Sequence, residues 1–447
     1  MEYAREPNLA LRRHMAEAGW NGPALAAALV KVAAESNVRV RYDRTTVAHW
    51  LAGTQPRPPG PRLLEEAFTR RLGRPVSSVE LGLGTGAPGE GADEDQDDSD
   101  PLQGLLWLHR RPVTPGSGRT DRPVLYQVRT VPGPRQPRPG HGGPLPTAPA
   151  TGPGRIGSRH AQAIRELTAF GARYYDAHGG APARSVLAAG LRDHALLWLK
   201  DTGSQRARTE LLTATAQLVR VLGRTYADDR LQGEAQRHHR LAYRLAVEAD
   251  DPIGQAMALR DQSTLAGALR HSRYAAELSD AALAHLPAAA PPGVRAFVLA
   301  QHAAAAARDG RFVPALRSLE EARQLEGRTG AEDDPMHYPE PALLYQAAQV
   351  HRALRDPDSA LGALRASLRL RPDGEHRTVG LSLLELAHLE LDTGDVHRAR
   401  QSHAAYLGLP LGPVSGLARA RLAQLEDRLA ALGGRSAADE GGRSTPR

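Results

Sequence analysis

Apolar residues recur along most of the chain with the three-to-four-residue spacing of amphipathic helices. Alanine and leucine, which favour helices, supply much of the apolar content, and strand-like stretches are short. Two Gly-, Pro- and charge-rich segments, 84–157 and 434–447, interrupt the pattern. We therefore predict an all-α protein in four parts: an N-terminal helix-turn-helix bundle (1–83), a disordered linker (84–157), a TPR-like α-solenoid (158–433) and a disordered tail (434–447).

The first block is predicted to hold four short helices, at residues 8–18, 23–36, 44–52 and 61–73. Asp43 is a good N-cap for the third helix, and Gly53 suits the position just past its end. Within that helix, Val47, Trp50 and Leu51 form one apolar stripe. The stripe predicts that the third helix packs on the others and leaves a slim outer face exposed.

That outer face has the character of a recognition helix, which is anchored by one face and enters the major groove of DNA with the other. Thr45 and His49 point outward, and Arg44 stands at the start of the helix. The predicted DNA-binding residues are Arg39, Arg41, Arg44, Thr45, Thr46, His49 and Arg57. The arginines that flank the helix suit backbone phosphates, whereas residues at its N-terminal end suit base edges. Alternatively, Arg57 and His49 are ordinary solvated surface residues without a role in binding.

Charge distribution locates any affinity for phosphate in the first third of the chain. Residues 1–85 carry 12 basic and 8 acidic residues, residues 90–100 carry seven acids and no base, and residues 101–160 carry nine arginines and one acid. The linker also contains two apolar islands, 102–110 and 123–131. They are either ordered elements that dock on a domain or transient structure, and the sequence leaves both alternatives open.

From residue 158 onward, five segments share the form of an apolar helix, a short polar turn and a second helix with small residues. Aligned on Ala235, Glu277, Ala315, Ala360 and Ala399, they are spaced by 42, 38, 45 and 39 residues. A TPR unit has about 34 residues, so the excess is placed in the loops between repeats. Such pairs must stack, which predicts a concave groove for a peptide, a protein or a second copy of the chain, closed by a capping helix at 420–432. The array could also be only a scaffold or dimerisation unit.

Two stretches resemble a known family. The run TVAHWLAGTQPRP is similar to the third helix and following loop of Xre-like repressors. More closely, RVRYDRTTVAHWLAGTQPRPPGP and RIGSRHAQAIRELTAFGARYYDAHGG resemble segments of actinomycete helix-turn-helix/TPR regulators of sporulation and antibiotic production. The resemblance implies sequence-specific transcriptional control, often repression. AAESNVRVRY, between the second and third helices, is longer than the usual tight turn of the Xre pattern.

Several chemistries have no support in the sequence. The chain has no cysteine, which excludes disulfides, zinc–thiolate sites and cysteine nucleophiles. Gly84, Gly86 and Gly89 match GxGxxG, but they lie in the linker without a flanking strand or helix. No hydrolase elbow, Walker loop or HExxH motif is present, so we expect no enzyme, no cofactor and no metal. No signal-like or membrane-spanning run is found, and a cytoplasmic protein without membrane contact is expected.

The favoured interpretation is a transcriptional regulator whose partner is double-stranded DNA and whose repeat domain senses an effector or dimerises. The alternative is a non-enzymatic interaction scaffold whose N-terminal bundle binds protein instead of DNA. The sequence neither shows nor excludes a homodimer.

Overall fold

The computed structural model describes residues 6–83, 100–110, 124–133, 156–201, 203–326, 338–410 and 415–441. These residues form helices and loops, with one isolated bridge between Ile156 and Gly203, so the all-α prediction is confirmed. They divide into two compact units, one made of 1–131 with 230–241 and the other of the remaining chain. In the part of the chain described, none of the helices combines the length and hydropathy needed to cross a bilayer.

The helices in chain order are α1 (Leu9–Glu17), α2 (Gly22–Glu35), α3 (Arg44–Leu51), α4 (Gly60–Leu72), α5 (Pro101–Arg110), α6 (Ser158–His178), α7 (Gly180–Gly190), α8 (Gln205–Asp228), α9 (Gln232–Glu248), α10 (Pro252–Ala268), α11 (Ser272–His285), α12 (Pro292–Arg308), α13 (Phe312–Glu326), α14 (Glu340–Ala353), α15 (Pro357–Arg369), α16 (His376–Asp392), α17 (Val396–Leu407) and α18 (Gly416–Gly441). A π-helical turn (Leu191–Ala195) and a short helical turn (Leu196–Trp198) continue α7.

The four predicted N-terminal helices are present, and local signals define their ends. The side chain of Asn8 accepts a hydrogen bond from the Leu11 backbone N–H at 2.8 Å, and Asn21 caps α2 in the same way. Gly73 ends α4 with φ of 69°, a conformation that favours glycine. The helices enclose a core of buried apolar residues that includes Leu11, Leu25, Leu29, Val47, Trp50, Leu63, Leu64 and Phe68.

The two apolar islands of the predicted linker, for which the sequence leaves docked and transient structure open, are ordered. Residues 101–110 form α5, and residues 124–131, which we call the docked segment, pack on the N-terminal helices. Leu125 joins the N-terminal core, and Tyr126 is 1% exposed while its N–H donates to the Ser36 hydroxyl at 2.8 Å. Burial of these two side chains stabilises the contact of the segment with the N-terminal helices. The rest of the linker prediction, at 84–99, 111–123 and 134–155, lies outside the described residues.

The C-terminal boundary is corrected as well. The last helix, α18, begins before the predicted capping helix at 420–432 and continues to Gly441, past the predicted boundary at 433. Residues 442–447 of the predicted tail lie outside the described residues.

Five helix pairs make up the repeat array: α8–α9, α10–α11, α12–α13, α14–α15 and α16–α17. Within every pair the connection has three residues, and its middle residue has a positive φ. These middle residues are Arg230, Arg270, Gly310, Arg355 and Gly394, with φ of 62°, 64°, 82°, 60° and 84°. In the four pairs that lie wholly within the second unit, these equivalent turns join helices that pack on each other, which confirms the repeat-like organisation of this region.

The repeats share one register, which differs from the sequence alignment at one point. The equivalent residues are Ala235, Ala275, Ala315, Ala360 and Ala399, none of which has any exposed surface. Each donates its backbone N–H to the carbonyl of the residue that follows the positive-φ position, at 2.8–3.2 Å. The alignment on Glu277 is therefore wrong by two residues, and the spacings are 40, 40, 45 and 39. Glu277 has a half-exposed side chain, whereas the shared position admits only a small one.

This register makes a direct prediction. Ala275→Leu should lower the free energy of unfolding of the repeat array by about 1–3 kcal/mol, because three extra carbons enter a filled position. Glu277→Leu, two residues along the same helix, should leave thermal unfolding of the protein nearly unchanged. Equal effects of the two substitutions on the melting temperature would contradict the register.

The array also closes on itself. Arg377, in α16, donates to the carboxylate of Asp228, in α8, through Nε at 2.8 Å and Nη2 at 2.6 Å. The Gly416 N–H lies 3.3 Å from Oδ1 of Asp229. The sequence predicts stacking between neighbouring pairs only, so this contact between the first and last parts of the array is new information.

Candidate nucleic-acid interface

The third helix has the two faces that the sequence predicts. Asp43 caps it, accepting a hydrogen bond from the Thr46 backbone N–H at 2.7 Å. Val47 and Trp50 are buried in the N-terminal core, and Trp50 packs edge-on against Tyr42 with ring centroids 5.1 Å apart. These contacts fix the orientation of α3 from its inner side.

The outer side of α3 is open to solvent. Thr45 and His49, one turn apart, are exposed, as is Arg44 at the start of the helix. Ala48 and Ala52, whose side chains are small, are also exposed. A face of this width, with polar groups near its N-terminal end, suits the major groove.

Thr46 differs from the other predicted site residues. It is half-buried, and its hydroxyl donates to Oδ1 of Asp43 at 2.8 Å. Because the backbone and hydroxyl bonds from Thr46 favour its ionised form, the pKa of Asp43 is held below its ordinary value. We therefore assign Thr46 a positioning role at the start of α3.

The connection between α2 and α3 is an extended segment and not a tight turn. Along it, Val38, Val40 and Tyr42 pack against the core, whereas Arg39 and Arg41 alternate with them and are exposed. This period-two pattern is that of a strand with one buried face.

The extended segment brings the starts of α2 and α3 together. A Cβ placed on Gly22, the first residue of α2, would lie 3.9 Å from Cα of Arg44, the first residue of α3. Two helix N-termini, each with positive partial charge, thus lie side by side next to a guanidinium. The unusual length of AAESNVRVRY is explained by this return path.

The loop after α3 lies close to the extended segment. Gly53 has φ of 98°, and Pro56 is buried whereas Arg57 is exposed. A Cβ on Gly60 would lie 3.3 Å from the hydroxyl oxygen of Tyr42, so the loop is held near the segment that carries Arg39 and Arg41. Burial raises the pKa of Tyr42, which keeps it neutral in this contact.

Seven arginines of the N-terminal domain form two groups that differ in position and in protein partners, and Arg12, Arg13 and Arg62 belong to neither. One group is held by protein partners: Arg70 bonds Glu66 and Glu35, Arg71 bonds the Ala18 carbonyl at 2.8 Å, and Arg74 bonds Glu17 and Glu80. The other group consists of Arg39, Arg41, Arg44 and Arg57. All four are exposed, and within the described residues their side chains form no hydrogen bond or ion pair.

The second group also lies in a part of the sequence with few acidic residues. Between residues 38 and 57 the sequence holds four arginines and a single acid, Asp43, which is engaged in the cap. Unpaired guanidiniums around a helix start form an electropositive surface that suits phosphate groups.

The sequence did not reveal one Ser–His–Asp arrangement in the repeat array that resembles a catalytic triad. The ring of His302 lies 2.9 Å from Oδ1 of Asp280 and 2.8 Å from Oγ of Ser318. Ser318 is only 6% exposed and lies within α13, so a substrate has no path to its hydroxyl. Burial lowers the pKa of His302. We assign this relay to packing, since it joins α11, α12 and α13.

Comparison with known proteins adds one finding. Residues 11–84 match the family model of the SP15 N-terminal domain. The match covers most of α1 and all of α2–α4, ends beside the predicted domain boundary at 83, and includes far less than half of the chain. A search of curated proteins finds no match. The resemblance to Xre-like and TPR-containing regulators therefore stays an expectation.

Proposed function

We propose that this protein is a sequence-specific DNA-binding transcriptional regulator. The observation that carries the proposal is the group of four exposed, unpaired arginines around the start of α3, whose other face is anchored in the core. In this proposal α3 enters the major groove of double-stranded DNA. Arg44, Thr45 and His49 contact base edges there.

Arg39, Arg41 and Arg57 then hold the backbone on either side of the groove. Arg39 and Arg41 are two residues apart in an extended segment, which places them on one side at a separation of about 6.7 Å. Both can therefore face the same partner. In this proposal the repeat array senses an effector or dimerises, and its partner is a peptide or protein. The family resemblance implies that the regulator is a repressor and that it acts in the cytoplasm.

The test begins with the full-length protein and random duplex DNA. Enriched sequences should be recovered, and Arg44→Ala or Thr45→Ala should each weaken binding to the preferred site by about 1–3 kcal/mol, roughly 5- to 150-fold, with a smaller effect on random DNA. Arg39→Gln should weaken both alike and reduce the slope of log K against log salt by about 0.9. Arg74→Gln removes an exposed arginine that already has protein partners and serves as the matched control.

A specific outcome favours the alternative of an interaction scaffold. Recovery of no enriched sequence, together with equal binding by the wild type and the Arg44→Ala variant, would overturn DNA recognition by α3. In that case the exposed arginines would face an acidic protein surface.

A further inference from the structure

A second concentration of arginines lies in the repeat array, outside the proposed DNA-binding face. Arg308 ends α12, Arg352 lies in the last turn of α14, and Arg421 and Arg428 lie on α18. Between them, α16 contributes two carboxylates. We call these six residues the arginine cluster: Arg308, Arg352, Arg421, Arg428, Glu385 and Asp392.

Glu385 alone serves several of these cations. Arg352 donates to its Oε1, and Nη1 of Arg421 lies 3.3 Å from its Oε2. Burial by itself would raise the pKa of Glu385, but the nearby Arg421 and Arg352 bring it below its ordinary value. The carboxylate is therefore ionised, and its one charge is shared.

Arg308 reaches the carboxylate only indirectly. Its Nη2 donates to Oε1 of Gln349 at 2.9 Å, and Gln349 in turn lies 3.5 Å from Glu385 through Nε2. Within the described residues Arg308 forms no ion pair, and burial lowers its pKa. A Cβ on Gly267 would lie 3.3 Å from Nη1 of Arg308, so the guanidinium is packed closely against α10.

The remaining pairing does not balance the charge. Asp392 accepts from Arg428 at 2.7 Å and from Arg352 at 3.4 Å. Burial lowers the pKa of His388, which lies 3.1 Å from Arg428, so this imidazole is neutral at pH 7. Four guanidiniums against two carboxylates leave two positive charges.

Part of the cluster is accessible from solvent. Within the described structure, Nη1 of Arg421 is buried and faces Glu385 as an ion pair without the geometry of a hydrogen bond. The side chains of Arg352, Arg428 and Arg421 are 43%, 39% and 27% exposed. A small ligand can therefore approach guanidinium groups that are already held in place by Glu385 and Asp392.

We propose that the arginine cluster binds a phosphate group, either free or carried as a monoester by a small molecule. A phosphate dianion neutralises the two excess charges and offers several acceptor oxygens to planar guanidinium donors. The site lies in the repeat array and is independent of the proposed contact with DNA. It gives the array a small anionic ligand in addition to any protein partner.

The test is calorimetric titration of the full-length, DNA-free protein with inorganic phosphate and, separately, with glycerol phosphate, against chloride at matched ionic strength. Saturable binding is expected, and Arg421→Gln should raise Kd at least tenfold. Arg421→Lys keeps the positive charge but lacks the planar guanidinium, so its Kd should lie between those of the wild type and Arg421→Gln. As the control, Arg398→Gln removes an exposed arginine of α17 that pairs with the exposed Asp395, and this variant should bind phosphate as the wild type does.

Comparison of the two ligands identifies the source of the phosphate. Comparison of the variants locates the site. Tighter binding of the monoester supports a phosphorylated small molecule, whereas tighter binding of inorganic phosphate supports the free anion. Absence of saturable binding would overturn the proposal. So would unchanged binding by Arg421→Gln, or loss of binding in an Arg39→Gln/Arg41→Gln variant, which would locate the anion on the N-terminal face. Thermal melts without phosphate show whether each variant is folded.

Discussion

Replacing Arg70 with methionine is expected to lower the free energy of unfolding of the N-terminal domain by about 3–5 kcal/mol. The guanidinium of Arg70 donates to Glu66 at 2.6 Å, to Glu35 at 2.6 Å and to the Tyr126 carbonyl at 3.0 Å. The side chains of Glu35 and Glu66 are 7% and 6% exposed, so the variant removes the Arg70 guanidinium from two buried carboxylates. Hydrogen exchange resolved by peptide should show faster exchange in α2, α4 and the docked segment.

The loss should depend on pH in a defined direction. Burial raises the pKa of Glu66 even with Arg70 present, and removal of the cation raises it further. A carboxyl group with a raised pKa in the folded state stabilises the fold below its unfolded pKa, and that contribution is lost as the pH rises through the folded pKa. The variant should therefore be less impaired near pH 4.5 than at pH 8.

Two controls make this prediction specific. Arg74→Met removes an exposed arginine from the same domain and should have no measurable effect, since its partners Glu17 and Glu80 are well hydrated. Adding Glu35→Gln and Glu66→Gln to Arg70→Met should restore part of the stability. Equal stability of the Arg70→Met protein at pH 8 and pH 4.5 would contradict an electrostatic cause.

The docked segment shows why this feature could not be predicted from the sequence. The four N-terminal helices follow from neighbouring residues: Asn8, Asn21 and Asp43 each cap the helix that begins next to them. By contrast, Tyr126 finds its partner Ser36 ninety residues away. An apolar island in a polar linker has no local property that distinguishes a docked segment from a transient one.

The sequence alignment of the repeats was wrong at Glu277 for a different reason. The turns at Gly310 and Gly394 are visible because glycine marks the positive φ. At Arg270 an arginine adopts the same conformation, and the alanine-rich helix after it offers several similar registers. Only burial, which is complete at Ala275, identifies the equivalent position.

For the candidate site, the pattern of α3 predicted which side chains are outside, and Thr45 and His49 are exposed accordingly. It did not predict that the Thr46 hydroxyl is bonded to Asp43. The three-residue spacing of that pair, which is typical of an N-cap, is the signal that could have shown it. Which arginines are unpaired depends on the positions of distant acids and is visible only in the fold.

Arg377→Met is expected to open the repeat array, with a loss of about 3–5 kcal/mol in the free energy that holds its first and last parts together. The Asp228 side chain has no exposed surface, and its other oxygen accepts the Gly180 N–H at 3.0 Å. The Arg377 guanidinium also lies 4.2 Å from the ring centroid of Tyr175 in α6. Arg377→Lys should be nearly as harmful, since an ammonium group cannot present two donors of one planar group to Oδ1 of Asp228 or stack on the ring of Tyr175 in the same way.

The pattern of hydrogen exchange then distinguishes a closed array from a simple stack. In a stack each repeat contacts only its neighbours, so a defect in α16 would spread to α14 and α15 and leave the first helices protected. In the closed array, exchange in α6 and at the start of α7 should rise as much as in α16, although about 200 residues separate them. Arg173→Met, at an exposed position of α6, should raise none of these rates. Unchanged protection of α6 in the Arg377→Met protein would mean that the contact with Asp228 does not hold the two ends together.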